Sequence, residues 1–177
     1  MATTTAVTVR SARPDDAAAI AEIYNQGIRA RIATFETEER TAEERRAWLA
    51  SHDERHPVLV AVLRELHGRE RVVGWASTDH YRPRACYVGI AEFSIYVHEG
   101  YRGRGIGVVL LPALIEAAER AGLWKLVSRI FPENVASRAI CARAGFREVG
   151  VYEKHGQLDG VWKDVVIVER LIPANLT

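Results

Sequence analysis

The chain has 177 residues and a net charge of +1, so its overall charge indicates neither a nucleic-acid partner nor an acidic membrane surface. A hydrophobic fraction of 48% and a charged fraction of 27% are typical of a soluble globular protein, and the length suits one domain over residues 1–177. The chain shows no apolar run of the roughly 20 residues that span a bilayer, no secretory signal and only two cysteines. We therefore expect a cytoplasmic enzyme.

The first third of the chain predicts one strand and two helices. Residues 5–10 alternate like a strand, and residues 14–28 follow with a proline start and apolar residues at helical spacing. Thr41-Ala-Glu-Glu is a capping box, which predicts the start of a second helix. We expect the run Glu43-Glu44-Arg45-Arg46 to form a solvated face of that helix and Pro57 to end it.

The rest of the chain alternates between strands and helices. Residues 58–63 and 72–78 are rich in β-formers and predict a hairpin around His67-Gly68, and residues 89–97 predict the next strand. The remaining predicted elements are a helix over 108–121, a strand over 126–130, a helix over 134–144, and strands over 146–152 and 161–171. The resulting order β-α-α-β-β-β-α-β-α-β-β is that of a mixed α/β (α+β) protein.

A glycine-rich loop, residues 101–107, joins a predicted strand to a predicted helix. Unpaired N–H groups at a helix N-terminus bind phosphate oxygens, and Arg102 and Arg104 add positive charge. The Rossmann pattern needs glycine where this chain has Val108, and the P-loop needs a Gly-Lys pair that the sequence lacks. The pattern that fits is R-x-x-G-x-G, beginning at Arg102.

This loop resembles the pyrophosphate-binding loop of the GNAT superfamily of acetyl-CoA-dependent N-acetyltransferases. A second segment, Asn134-Val-Ala-Ser followed by Ala144-Gly-Phe, resembles the segment with which the family contacts coenzyme A. The element order matches the GNAT fold over nearly the whole chain, which implies a mixed central sheet of about six to seven strands flanked by helices. The residues that we expect to bind acetyl-CoA are Ile95, Tyr96, Val97, Arg102, Gly103, Arg104, Gly105, Ile106, Gly107, Val108, Asn134 and Ser137.

Four further segments resemble one GNAT subgroup, the phosphinothricin, arsinothricin and methionine sulfoximine N-acetyltransferases. These segments are residues 33–38, 81–87, 91–97 and 154–165. The resemblance implies acetylation of the amino group of a small amino acid or amino-acid analogue, with a role in detoxification and in antibiotic or herbicide resistance. The last segment contains extra residues, 157–160, for which we expect a longer hairpin loop at the pocket rim.

The resemblance assigns the general base to Glu92. A free amine with a pKa near 10 is protonated at neutral pH, so its deprotonation costs roughly 4 kcal/mol, about 1.4 kcal/mol per pH unit. An exposed glutamate is a poor base, so we expect partial burial or a relaying water. The alternative is a strand glutamate that faces solvent. Amides near Ile95 and Tyr96 are expected to stabilise the oxyanion that forms during transfer.

The thiolate that leaves coenzyme A must be protonated. Many GNAT enzymes use a tyrosine four residues after the serine of the second loop, and in this chain that count from Ser137 reaches Cys141. A thiol with a pKa near 8.5 can donate a proton, but a small buried cysteine is more often a packing residue. The alternative donors are Tyr96, Tyr152 and water.

The expected substrate contacts are Arg82, Arg84, Tyr87 and Phe35. Arginine forks bind carboxylates and phosphinates through two parallel hydrogen bonds, and an aromatic ring can form a pocket wall. A solvated basic loop and a core phenylalanine are the alternative interpretations of these residues.

We expect no metal site, because the run from His52 to His56 is not H-E-x-x-H and Pro57 follows it directly. No nucleic-acid patch or membrane segment is evident, and the resemblance implies a homodimer. Two other functions stay open: acetylation of protein N-termini or lysines, and non-catalytic sensing of acetyl-CoA.

Overall fold

The computed structural model describes residues 6–64 and 68–176. Its strands are β1 (Val7–Ser11), β2 (Val58–Arg64), β3 (Glu70–His80), β4 (Ile90–Val97), β5 (Lys125–Ile130), β6 (Arg147–Leu158) and β7 (Val161–Leu171). Its α-helices are α1 (Ala17–Ala30), α2 (Ala42–Ser51), α3 (Ile106–Arg120) and α4 (Val135–Arg143). The predicted order of elements is confirmed. Thr5 of the first predicted strand and His67 of the predicted hairpin turn lie outside the described residues.

The strands form one seven-stranded mixed sheet in the order β1-β2-β3-β4-β5-β7-β6. Helix α3 packs on this sheet, and its Leu110, Leu111 and Leu114 are fully buried in the main core. A smaller core joins α1 to β2 and β3 through residues such as Ile20 and Trp75. In the part of the chain described here, no helix is both long and apolar enough to cross a bilayer.

The sequence predicts a helix from Pro14, whereas α1 begins three residues later at Ala17, after a short 3-10 turn over Pro14–Asp16. The Asp16 carboxylate accepts a hydrogen bond from the Arg13 amide at 2.7 Å and pairs with both terminal nitrogens of the Arg10 guanidinium at 2.8 and 3.0 Å. This arrangement fixes the start of α1 against β1, because Arg10 belongs to that strand.

Helix α2 has the predicted capping box, in which Thr41 Oγ1 accepts from the Glu44 amide at 3.2 Å and the Glu44 carboxylate accepts from the Thr41 amide. The helix ends at Ser51, well before Pro57, so the prediction that Pro57 terminates it is wrong. The prediction of a wholly solvated face over residues 43–46 is also wrong. Arg45 is only 8% exposed because α2 turns that side chain inward against aromatic residues.

Strands β4 and β5 run parallel, but they pair only over residues 90–92 and 125–127 and then separate. At the start of the separation, Ser128 Oγ donates to the Phe93 carbonyl oxygen at 2.9 Å. Main-chain groups alternate between the two edges of a strand, so those of Ile95 and Val97 lie on the same edge as that carbonyl. The separation therefore leaves an edge of β4 beside a groove.

The hairpin of β6 and β7 differs from the predicted long loop. Its strands pair to the tip, where Leu158 lies opposite Val161, and only Asp159 and Gly160 form the turn. Their φ values are 48° and 78°, as a tight two-residue turn requires, and an Asp-Gly pair tolerates them. The extra residues 157–160 therefore lengthen the paired hairpin. An ion pair of 2.9 Å between Arg31 and Asp159 holds the tip near the end of α1.

Candidate active site

Two cavities lie on either side of Tyr96. One, which we call the acceptor cavity, has a volume of about 390 Å³ and is lined in part by Glu92 and Phe35. The other, which we call the loop groove, has a volume of about 430 Å³ and is lined in part by residues 101–107. Tyr96 and Ala33 line both of them, so the two cavities meet at these residues.

The glycine-rich loop presents free amides to the loop groove. Gly103 and Gly105 have φ values of 73° and 78°, which other residues adopt only with strain. Within residues 6–64 and 68–176, no acceptor is recorded for the N–H groups of Gly103, Arg104 and Gly105. The N–H groups of Ile106 and Gly107 belong to the first turn of α3 and have no partner within the helix. This arrangement suits a bound phosphate.

The two loop arginines differ in position. Arg102 lines the loop groove, as does Val108, and the Arg102 Nε also approaches the Val97 carbonyl oxygen at 3.4 Å. Arg104 is not among the lining residues of the groove, and its guanidinium carbon lies 5.2 Å from the centre of the Tyr101 ring. The structure therefore places Arg102, and not Arg104, against the groove.

The second predicted segment forms the opposite wall of the loop groove. Asn134 Oδ1 accepts from the Ser137 amide at 3.2 Å and so caps α4, while Asn134 Nδ2 donates to the Ile32 carbonyl oxygen at 3.2 Å. Both Asn134 and Ser137 line the groove. The cap therefore fixes Asn134 and Ser137 in the wall of the loop groove, which the glycine-rich loop also lines.

Residues 95–97 line the same groove from β4. The main-chain groups of Ile95 face the free edge of β4, whereas those of Tyr96 face β3, where it lies opposite Trp75. Of the two amides expected to stabilise an oxyanion, the arrangement favours that of Ile95. The Tyr96 hydroxyl donates to the Ala33 carbonyl oxygen at 3.3 Å, and burial raises the pKa of Tyr96, so it is a poor proton donor.

Glu92 lies on β4 with its side chain 27% exposed and forms an ion pair with Arg129 of β5. It therefore is not a solvent-facing strand residue. It lies opposite Asp79 of β3, and both carboxylates line the acceptor cavity. Asp79 is engaged by His52, whose Nε2 lies 3.1 Å from Asp79 Oδ1, and this contact holds the pKa of Asp79 below its usual value despite the opposing effect of burial.

Aromatic residues form part of the walls of the acceptor cavity. Phe35 packs edge-on against Phe131 at a centroid distance of 4.8 Å and lies beside Gly156, where an added Cβ would come within 2.8 Å of the Phe35 ring. The long hairpin thus supports the predicted pocket aromatic from behind. The other aromatic residues of the lining are Tyr24, Trp48, Trp75, Phe93 and Tyr96.

The structure does not bring Arg82, Arg84 and Tyr87 together with Glu92. These three residues line a separate cavity of about 280 Å³ formed by the connection between β3 and β4. Both arginines are exposed, and the Arg82 guanidinium lies over the Tyr81 ring at 5.2 Å. The resemblance located them along the chain, but the path of this connection past the end of the sheet sets where their side chains lie.

Cys141 is 1% exposed, belongs to the main core and lines neither of the two cavities beside Tyr96. Burial raises the pKa of the Cys141 thiol to about 12. A buried thiol with a raised pKa, away from both cavities, is not placed to protonate a leaving group. Its position does not support the assignment of Cys141 as general acid and favours the packing alternative.

We expect Cys141→Ala to retain kcat within about twofold and to lower the free energy of unfolding by about 1 kcal/mol, because only a packing atom is lost. Steady-state assays and thermal denaturation measure the two effects. The exposed Cys86 provides the control, since Cys86→Ala should change neither quantity. A kcat reduced more than about tenfold in folded Cys141→Ala would instead support the Cys141 thiol as the general acid.

One group of described residues could hold a metal ion: Asp53, His56 and His80, whose ligand atoms lie within 4.8 Å of one another. His56 is buried and its Nδ1 lies 2.7 Å from Asp53 Oδ1. The two histidine rings are 3.9 Å apart. This group, which includes only one member of the His52–His56 pair, does not line the acceptor cavity.

Sequence reasoning missed several side chains that line the acceptor cavity, notably Arg45, Trp75, Asp79 and Arg129. None belongs to a motif. One signal was available for Arg45, because it lies three residues before Trp48 and four before Leu49, which places all three on one helix face.

Comparisons with known proteins agree with this geometry. Residues 6–147 match the family described as the Acetyltransferase (GNAT) domain. The chain is 36% identical to a phosphinothricin N-acetyltransferase of Streptomyces coelicolor over 94% of this chain and 97% of that one. It is 34% identical to an L-methionine sulfoximine/L-methionine sulfone acetyltransferase of Pseudomonas paraeruginosa over 91% of this chain and 92% of that one.

Among solved structures, a GNAT superfamily phosphinothricin acetyltransferase of Sinorhizobium meliloti in complex with acetyl-CoA superposes with a TM-score of 0.85 and 28% identity, over 94% of this chain and 88% of that one. The family match and the identities to two full-length relatives, together with the free amides of the loop groove, show that this chain belongs to the GNAT family and is an acetyl-CoA-dependent N-acetyltransferase.

Proposed function

We propose that this enzyme acetylates the amino group of a small amino acid or amino-acid analogue, with Glu92 as general base. The observation that carries the proposal is the position of Glu92 in a cavity that meets the loop groove at Tyr96 and Ala33. A volume of about 390 Å³ lies in the range of small-molecule sites. The names of the two relatives, which act on amino-acid analogues, support the same class of acceptor.

The role of Glu92 follows from its environment. Its half-buried carboxylate would accept a proton from the ammonium group of the acceptor, directly or through a water. Arg129 engages that carboxylate at the last paired position before β4 and β5 separate. The acceptor nitrogen would then lie near the place where the two cavities meet.

Acetyl-CoA supplies the acetyl group as a thioester. We propose that the amides of residues 103–107, with Arg102 beside them, bind its diphosphate, and that Asn134 and Ser137 contact the cofactor from α4. The free edge formed by Ile95 and Val97 would pair with the pantetheine amides as an added strand does. The Ile95 amide would also donate to the reacting carbonyl oxygen.

Free thiol released from acetyl-CoA, with product mass, tests this function on a panel of phosphinothricin, methionine sulfone, a peptide with a free N-terminus and a lysine peptide. We expect the amino-acid analogues to exceed the peptides in kcat/KM by about 100-fold or more, because a cavity of about 390 Å³ has the size of a small-molecule site. A preference for either peptide would establish the protein-acetylating alternative. Binding of acetyl-CoA without thiol release from any acceptor would establish the sensor alternative.

We also propose a homodimer and a role in detoxification or resistance. Exposed apolar residues on the hairpin support self-association, including Val149, Val151, Val161 and Trp162. Measurement of the molar mass in solution tests the proposed homodimer. The cytoplasmic location expected from the sequence stays a prediction.

A further inference from the structure

Arg45 is a buried cation without a counter-charge. It is 8% exposed, lines the acceptor cavity, and has no ion-pair partner in the described part of the chain. Its Nε is buried without a hydrogen-bond acceptor, and so is the Nε1 of Trp75, which lines the same cavity and is 2% exposed. Unpartnered buried donors are rare because each costs free energy, so two neighbouring ones indicate a missing acceptor group.

The other charges that line the cavity are paired. Glu36 contacts Arg40 at 2.5 Å, Asp79 contacts His52 at 3.1 Å, and Glu92 forms its ion pair with Arg129; these three pairs account for every charged lining residue except Arg45. Burial lowers the pKa of Arg45, which shows the cost of holding this cation away from water.

Aromatic rings fix the Arg45 guanidinium in place. Its central carbon lies 4.0 Å from the centre of the Tyr24 ring, 4.9 Å from that of Trp48 and 5.9 Å from that of Trp75. Cation–π contacts of this kind hold a guanidinium but supply no acceptor for its Nε–H group, which has none in the described residues. The side chain is therefore oriented in advance for a planar, oxygen-bearing partner.

We propose that Arg45, assisted by the indole N–H of Trp75, is the subsite for an anionic group of the acceptor substrate, either its carboxylate or an oxyanion of its side chain. This inference rests on the proposed function, since it assigns the acceptor of the same site. It places anion recognition inside the acceptor cavity, in contrast to Arg82 and Arg84 in the separate cavity. Glu92 would thus contact the amino group of the acceptor, and Arg45 would bind its anionic group.

Arg45→Gln tests the subsite, with Arg46→Gln as the matched control because Arg46 is an exposed neighbour on α2. Arg45→Lys retains the positive charge but loses the planar guanidinium. Arg84→Ala tests the anion-binding site that the sequence analysis predicted. Each variant is assayed with phosphinothricin, methionine sulfone and methionine sulfone α-amide. Tryptophan fluorescence, which reports on Trp48 and Trp75 beside Arg45, gives the Kd for each acceptor without acetyl-CoA. Thermal denaturation and the Kd for acetyl-CoA confirm that each variant is folded.

We expect Arg45→Gln to raise KM and Kd for phosphinothricin about 10- to 100-fold, with partial recovery in Arg45→Lys and no effect in Arg46→Gln. An equal loss with methionine sulfone, but little with its amide, identifies the carboxylate as the group bound. A loss confined to phosphinothricin identifies the side-chain oxyanion. Unchanged KM and Kd in folded Arg45→Gln, or the same loss with all three acceptors, would overturn the subsite.

The outcomes also separate this inference from the proposed function. If the wild type acetylates these acceptors and Arg45→Gln does so equally well, the function stands and the subsite fails. If the wild type binds phosphinothricin through Arg45 but releases no thiol, the subsite stands and the function fails. If it neither binds nor acetylates any of the three, both are wrong.

Discussion

Glu92→Gln is expected to lower kcat by about 10²- to 10⁴-fold, the usual contribution of a general base. The amide cannot take a proton from the acceptor ammonium, so turnover depends on the small fraction of acceptor that is already neutral. Glutamine has nearly the shape of glutamate and can still accept a hydrogen bond from Arg129, so the pairing of β4 with β5 should persist. Steady-state kinetics against both substrates measures the effect.

The Kd for acetyl-CoA should stay within about twofold of the wild-type value in this variant, because Glu92 lines the acceptor cavity and is absent from the lining of the loop groove. Asp79→Asn is the matched control, since Asp79 lies opposite Glu92 and lines the same cavity but is engaged by His52. It removes a carboxylate without removing the base. Unchanged turnover of Glu92→Gln from about pH 6 to about pH 9 would exclude Glu92 from this role.

Local signals in the sequence predicted most of the fold. The capping box at Thr41 and the glycine-rich loop before α3 depend on residues that are near each other along the chain, so the sequence contains their full description. The hairpin tip shows where local sequence signals fail to predict the structure. Residues 157–160 were expected to loop out, but whether extra residues lengthen paired strands depends on the partner strand β7 and on the contact between Asp159 and Arg31.

The residues of the candidate site also differ in whether the sequence could predict their positions. The resemblance located Glu92 and Phe35, which the structure places in one cavity. It could not show that the connection between β3 and β4 puts Arg84 in another cavity, because that depends on how the connection packs beyond the sheet. Arg45 was interpreted as solvated because its sequence neighbours are charged, whereas its burial results from three aromatic residues on three different elements.

Gly105→Val is expected to raise the Kd for acetyl-CoA by about 100-fold, because two charge-assisted hydrogen bonds lost from the loop would each cost about 1.5 kcal/mol. Gly105 is the residue before α3 and has a φ of 78°, a conformation that costs a residue with a Cβ about 1–2 kcal/mol. The loop would relieve that strain by rotating its peptide groups, and the amides of residues 103–107 would no longer converge. Isothermal titration measures the change.

Gly122→Val separates this effect from general destabilisation. Gly122 follows the other end of α3, has a φ of 79°, and, like Gly105, has open space where a Cβ would be added. Both variants should therefore lose similar stability, but only Gly105→Val should lose affinity, since Gly122 does not line the loop groove. If the two variants show equal stability loss and both keep the wild-type Kd, binding of the acetyl-CoA diphosphate does not depend on the conformation of this loop. The match between strain at the two ends of one helix makes the comparison a direct test of where the cofactor binds.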